Sequence, residues 1–205
     1  MFRSLIGGLR YLVHTRPDIS FVVGSISHFM EKPTQLHLNA VKRVLRYVRG
    51  TLEYGLRYAR GFGNHMLTGF SDSDYASSCG DRRSTSGMVF YLSENLITWI
   101  SQKQRCVALS TCEAEFMAAT AAACQVNLYI DNKSAIDLAK NPVFHGRSKH
   151  IDVRYHFIRE CVERGEIVIN HISFDKQCAD ILTKAMATAK FEEMRSLLGM
   201  KNLAK

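Results

Sequence analysis

No C-x-x-C pair occurs anywhere in this 205-residue chain. Its cysteines, Cys79, Cys106, Cys112, Cys124, Cys161 and Cys178, are scattered singly. That spacing argues against a zinc ribbon and for reduced, intracellular thiols. Long apolar runs are absent too, since none approaches the ~20 residues that a membrane-spanning helix needs. The opening MFRSLIGGLRYLVHTRP has neither a continuous apolar core nor an A-x-A-like cleavage site, so no secretory signal is expected. Internal repeats and low-complexity stretches are also missing. Acidic residues are the minority: 19 Asp and Glu against 27 Lys and Arg, for a formal charge of +8. A basic excess favours a polyanionic partner, most simply nucleic acid. With 46% hydrophobic and 22% charged residues, the chain suits one medium globular domain, or one domain plus a fragment.

What is present changes character near residue 60. Ile19, Val22, Val23, Ile26 and Phe29-Met30 recur at helical spacing; Pro33 stops that helix and Thr34 starts another. There His37-Leu38, Val41, Val44-Leu45 and Val48 form an apolar stripe, and Gly50 ends it. Lys42, Arg43, Arg46 and Arg49 lie on or beside the other face, which is ordinarily a solvated one; phosphate contact is the sharper alternative. GFGN at 61–64 reads as a short boundary. Beyond it come strand patterns: HMLTGFSD, TSGMVFYL and NLITWISQ, with Ser93-Glu94-Asn95 as a hairpin turn. A helix over 110–125, a strand over 127–131 and a short helix over 132–140 follow. After a Pro/Gly/His loop, HIDVRYHFIRECVER predicts a longer helix and EIVINHIS a strand. Two helices, around 178–187 and 190–198, close the chain. Three strands followed by alternating helices and strands predict an α/β domain with a mixed sheet.

Four acidic residues stand where such a sheet could bring them together. Asp72 ends the first strand, Glu115 lies in the first turns of the helix, Asp131 ends VNLYID, and Asp180 opens the helix of CADILTK. Each alone has a plain structural use: a turn, a solvated helix position, an N-cap, an N-terminal helix charge. Taken together they suggest a metal centre. Two Mg²⁺ ions about 4 Å apart need several convergent carboxylates, because hard cations prefer oxygen ligands. Such a pair activates water and stabilises the leaving oxygen in phosphodiester hydrolysis.

The words RYLVHTRPDISF, AVKRVLRYVRGT, GFSDSDYA, DRRSTSGMVFYL, ITWISQKQ, ALSTCEAEFMAA, LYIDNKSAI, KNPVFHGRSKHIDVRYHFIRE and ADILTKA follow one another over nearly the whole chain. In this the chain resembles the C-terminal part of a Ty1/copia-type retrotransposon Pol polyprotein. The resemblance implies a ribonuclease H-like domain at about 66–187: α/β, with a mixed five-stranded sheet and flanking helices. It implies a helical remnant of the reverse transcriptase thumb or connection at 1–60, and a C-terminal helix and tail at 188–205. It also implies hydrolysis of the RNA strand of RNA–DNA hybrids by a D-E-D-D carboxylate set on two Mg²⁺, with Mn²⁺ as an alternative. Asp72 matches the first Asp, because FSDS resembles the F-T-D-G-S form of cellular enzymes. Asp74 is a close competitor, since strand alternation puts both on one face. Glu115 matches the helix Glu, with Glu113 second. Asp131 and Asp180 match the remaining two, and Asp152 is a weaker candidate. The segment from Ser173 to Cys178 resembles a loop that carries a mobile His in cellular enzymes. No His lies in it here, and His171 on the preceding strand is the nearest. Arg82, Arg83, and Arg147 and Lys149 within HGRSKH are implied backbone contacts. A hybrid is read mostly through phosphates, 2′-OH groups and shape. The implied setting is inside the cell, in a cytoplasmic particle or the nucleus, with no membrane. A second class of function is a basic nucleic-acid-binding remnant without catalysis.

The connection between Glu115 and Asp131 is shorter than the usual pattern, as if an internal segment were missing at Gln125–Val126. A helix from Glu115 to Cys124 rises roughly 14 Å and a strand from Asn127 to Asp131 roughly 13 Å. Crossing between layers takes about 10 Å, nearly the full reach of the three peptide steps left. Two further readings fail on the residues. A polymerase needs Y-x-D-D, whereas Tyr129-Ile130-Asp131-Asn132 ends in Asn and leads into a helix. Arg43-Val44-Leu45-Arg46 fits R-x-L-R, resembling oomycete effector motifs, but it lies within a basic helix with no signal before it.

Overall fold

The computed structural model describes residues 1–60, 66–76, 80–123, 126–140 and 152–204, the side chains of Val126 and of 152–155 excepted. Leu67–Ser73 (β2), Thr85–Leu92 (β3) and Asn95–Lys103 (β4) form an antiparallel meander, as their β-branched and aromatic content favours. The β3–β4 hairpin turns at Ser93-Glu94, where Ser93 takes a left-handed φ of 55°. Val126–Ile130 (β5) and Ile167–His171 (β6) join in parallel, giving a five-stranded mixed sheet in the order β4-β3-β2-β5-β6. Parallel neighbours need crossovers. Thr111–Ala122 (α4) leads into β5, and Lys133–Lys140 (α5) and Asp152–Glu163 (α6) lie between β5 and β6. A short pair, Tyr54–Leu56 (β1) with Met200–Asn202 (β7), joins residues far apart in sequence; nothing in three-residue segments marks it in advance.

Helix α4 starts where Ser110, in extended backbone, accepts a hydrogen bond from the Glu113 N–H at 3.1 Å. Its Ala114, Ala118, Ala119 and Ala122 are buried around Phe116, as in a helix covered on nearly every side. Together with α5 and α6, which contributes Ile158, it covers one sheet face, over Met88, Leu128, Ile130, Ile167 and Ile169. The opposite face, Val89, Tyr91 and Leu96, packs on the segment Cys178–Leu182 and on Thr188–Leu197 (α7). The first segment is a short 3₁₀ turn, not the helix expected over 178–187. Side chains pin it to the sheet: the buried Gln177 amide donates to the Ser71 carbonyl at 2.9 Å, and the Thr183 hydroxyl donates to Asp72.

The chain before β1 folds as Phe2–Leu12 (α1), Ser20–Ser27 (α2) and Gln35–Gly50 (α3) around Ile6, Leu9, Ile19, Val23, Ile26, Val41 and Val44. Thr34 caps α3 as expected, with His37 as the reciprocal partner: the Thr34 N–H donates to His37 Nδ1 at 3.0 Å. Arg43, Leu45 and Arg46 are exposed on α3 and Val44 is buried in this core.

The tight crossing is eased by an early helix end. Helix α4 stops at Ala122 rather than 125, and Ala123 is already extended at φ −64°, ψ 98°. A residue that leaves the helix gains reach from about 1.5 to about 3.3 Å. Cys124 and Gln125 lie outside the described residues, as do GFGN at 61–64 and Arg147 and Lys149.

Candidate metal centre

Strand pairing brings the first two carboxylates side by side. Phe70 on β2 pairs in parallel with Tyr129 on β5, and Asp72 and Asp131 each stand two residues further on, so both face the same way. Asp180 comes from the 3₁₀ turn, and Gly87 on β3, the register partner of Asp72, is what lets that turn approach. A Cβ at Gly87 would fall 2.8 Å from the Ala179 carbonyl oxygen and 2.6 Å from Thr183 Cγ2. One carboxylate oxygen from each of Asp72, Asp131 and Asp180 lies within 4.8 Å of the others. All three residues are buried.

Glu115 reaches the cluster from α4. Its Oε1 accepts the Ser73 N–H at 3.0 Å, while its buried Oε2 has no hydrogen-bond partner. Beneath it, the buried Gln104 amide nitrogen reaches Ser73 Oγ, Ser86 Oγ and the Ala114 carbonyl at 2.9–3.1 Å, tying β2, β3 and α4 together. The crowding is visible in the acidities. Burial, then the charges of Asp72 and Asp131, push Glu115 well above the usual carboxylate range. Burial and Asp72 raise Asp131, and the same two causes push Asp180 up to about 7. Among the described residues, Lys184 answers them: its Nζ lies 2.9 Å from Asp180 Oδ1 and 3.6 Å from Asp72 Oδ2. Asp72, Asp180 and Asp131 raise the Lys184 ammonium, although burial, the largest single influence, opposes them.

The competing acids are used differently. Asp74 accepts the Thr85 N–H, and Glu113 Oε2 accepts the Leu109 N–H at 2.9 Å, so each holds backbone. The Asp152 side chain lies outside the described residues. His171 sits on β6 opposite Ile130, the neighbour of Asp131. Arg82 and Arg83 are exposed, and Arg83 pairs with Asp81 at 3.6 Å. Lys184, Gln104 and Gly87 were not singled out by the sequence. For Lys184 a signal existed: it is four residues after Asp180 in ADILTK. The all-oxygen donors, with Glu115 Oε2 unpartnered, fit a hard divalent cation.

No family model matches the chain. Among curated proteins it is 42% identical over 217 positions to the retrovirus-related Pol polyprotein from transposon TNT 1-94 of Nicotiana tabacum, covering 97% of this chain and 16% of that protein. The corresponding polyprotein from transposon RE1 of Arabidopsis thaliana is 38% identical over 217 positions, with 97% and 15% covered. The chain therefore spans about a sixth of the length of these relatives. In both, 217 aligned positions stand against 97% of 205 residues, so the relatives carry about 18 positions that this chain lacks. Secreted RxLR effector protein 161 of Plasmopara viticola is 47% identical over 118 residues, 57% of this chain and 82% of that protein. Among solved structures, LC11-RNase H1 isolated from compost is similar at a TM-score of 0.46 and 17% identity, covering 58% of this chain and 94% of that one. Among the described residues, no helix is long and apolar enough to cross a membrane. On the match along nearly its whole length, this chain belongs to the Pol polyprotein family of copia-type retrotransposons.

Proposed function

We propose that residues from about 66 to 187 form a ribonuclease H-type nuclease domain that hydrolyses the RNA strand of RNA–DNA hybrids. In this reading, residues 1–60 are a reverse transcriptase remnant and 188–205 a C-terminal helix and tail. Asp72, Glu115, Asp131 and Asp180 would hold two Mg²⁺ ions, or Mn²⁺ in their place. The observation that carries the reading is the convergence of Asp72, Asp131 and Asp180 oxygens within 4.8 Å, beside the unpartnered Glu115 Oε2. A divalent pair there would supply activation of water and stabilisation of the leaving oxygen. The chain's own groups prepare the ligands. The Ser73 N–H and the Gln104 bracket fix Glu115, the Thr183 hydroxyl orients Asp72, and Gly87 admits Asp180. Arg82, Arg83, Arg147 and Lys149 would contact the sugar-phosphate backbone, in keeping with the +8 charge.

A second reading has its own support. The chain is shortened relative to its transposon relatives by about 18 positions, from 217 aligned against 97% of 205 residues. We assign the loss to the crossing between α4 and β5. A basic remnant that binds hybrids without cutting them would fit that loss. Purified chain, a hybrid labelled on the RNA strand, and Mg²⁺ separate the two readings. The nuclease cuts RNA, and Asp131→Asn stops cutting while binding persists. Binding without cutting, unchanged by Asp131→Asn, would establish the remnant.

A further inference from the structure

We infer that Lys184 is a built-in counter-cation of the metal centre: its ammonium neutralises part of the cluster in the metal-free protein and is displaced when divalent cations load. The inference rests on the metal-site reading above. Lys184 Nζ sits on Asp180 Oδ1 at 2.9 Å and near Asp72 Oδ2 at 3.6 Å, on two of the three carboxylates whose oxygens converge. A metal ion on the same oxygens and the ammonium cannot share that space. Four carboxylates against one ammonium leave a formal charge of −3, and Glu115 Oε2 stays unpartnered, so the lysine compensates the cluster only in part. An ammonium is a compact point charge on a flexible stem, suited to holding a place and then leaving it. The route out is open: the Lys184 side chain is 40% exposed whereas that of Asp72 is 2% exposed. Its backbone stays anchored, with the Lys184 N–H donating to the Asp180 carbonyl at 3.2 Å. With two divalent cations the same five groups would sum to +1, the charge that one phosphodiester linkage neutralises. A released Lys184 thus has an anionic partner in the substrate.

This makes a prediction opposite in sign to that for a supporting ligand. In Mg²⁺ titration calorimetry, Lys184→Met should bind the ion on the order of tenfold more tightly than wild type, a coupling of ordinary size between two sites. The same variant should melt lower in EDTA, and Lys184→Arg, which keeps the charge, should bind close to wild type. The unaltered protein gives an independent readout: acetylation of Lys184 by a small amine-reactive acetyl ester, followed by peptide mass spectrometry, should be faster in Mg²⁺ than in EDTA. Equal or weaker Mg²⁺ binding by Lys184→Met, or acetylation indifferent to Mg²⁺, overturns the counter-cation role. Absence of Mg²⁺ binding by wild type, or equal binding by Asp131→Asn, instead overturns the metal-site reading and the inference with it.

Discussion

Two buried polar clusters in this chain are built on opposite principles. In the first, Arg16 makes a bidentate pair with Asp18 at 2.8–3.0 Å and also donates to the Thr51 carbonyl and hydroxyl. The Tyr47 hydroxyl donates to Asp18 at 2.6 Å and accepts from Arg195 at 3.0 Å; Arg195 also lies 4.2 Å from the Tyr54 ring centroid. Cations outnumber the carboxylate, and the group joins the helical segment to α7. In the second, among the described residues, Lys184 pairs with two of the four carboxylates, Asp180 and Asp72, and one Glu115 oxygen has no hydrogen-bond partner. Burying unbalanced charge costs several kcal/mol per ion unless something compensates it. The first cluster is finished by its own side chains, whereas the second is left acidic and could take a divalent cation, as proposed above.

The largest effect that would break this contrast is at Asp72. Asp72→Asn should lower hybrid cleavage on the order of 10³-fold, as loss of several kcal/mol of metal-borne stabilisation implies. If the contrast is sound, the same variant melts higher in EDTA, because like charges are relieved. Next comes the cluster whose hydrogen bonds its own side chains complete. Arg16→Met should cost about 3–5 kcal/mol in urea unfolding, the usual price of one partner lost from a buried pair, with cleavage per folded molecule unchanged.

The pH response separates the clusters further. Asp180 is raised from 3.8 to about 7, so its folded form holds a proton that the unfolded chain gives up near 3.8. The contribution of Asp180 to stability in EDTA is therefore fullest below about pH 4 and is lost as pH rises through about 7, and Mg²⁺ should abolish that loss. Tyr47 is raised from 10.0 to about 12 by burial and Asp18, so its contribution is lost only from pH 10 to about 12, with or without Mg²⁺. Melting curves across pH with each additive read both windows. Gly87→Ala should cost about 1–3 kcal/mol of stability by overpacking, and it should reduce cleavage because the displaced turn carries Asp180. The smallest effects belong to Arg82→Ala and Arg83→Ala. Each should weaken hybrid binding a few-fold and lower the salt slope by about one per lost phosphate contact.

Much of this architecture could be read in advance because it rests on local patterning. TSGMVFYL gives β3 over Thr85–Leu92, and Asp72 and Asp131 stand at or just past the ends of β2 and β5. Alternation alone could not choose between Asp72 and Asp74. What separates them is a tertiary hydrogen bond: Asp74 is taken up by the Thr85 N–H. The 178–187 segment has helical composition, yet Gln177 and Thr183 reach across to β2 and hold a 3₁₀ turn, an override invisible to propensity. Lys184 and Gln104 gain their roles only from what lies opposite them in the fold. The short crossing was legible as a length problem, but its relief at Ala123 is a backbone choice that no spacing announces.

The contrast between a finished and an unfinished cluster is tested most directly by the melting temperature of the wild-type chain with and without Mg²⁺ at constant ionic strength. A cation that binds the folded state alone must raise it, in proportion to RT ln(1 + [L]/Kd). The expected result is a clear rise for wild type that vanishes in Asp131→Asn. Equal melting temperatures in EDTA and in saturating Mg²⁺ would contradict it.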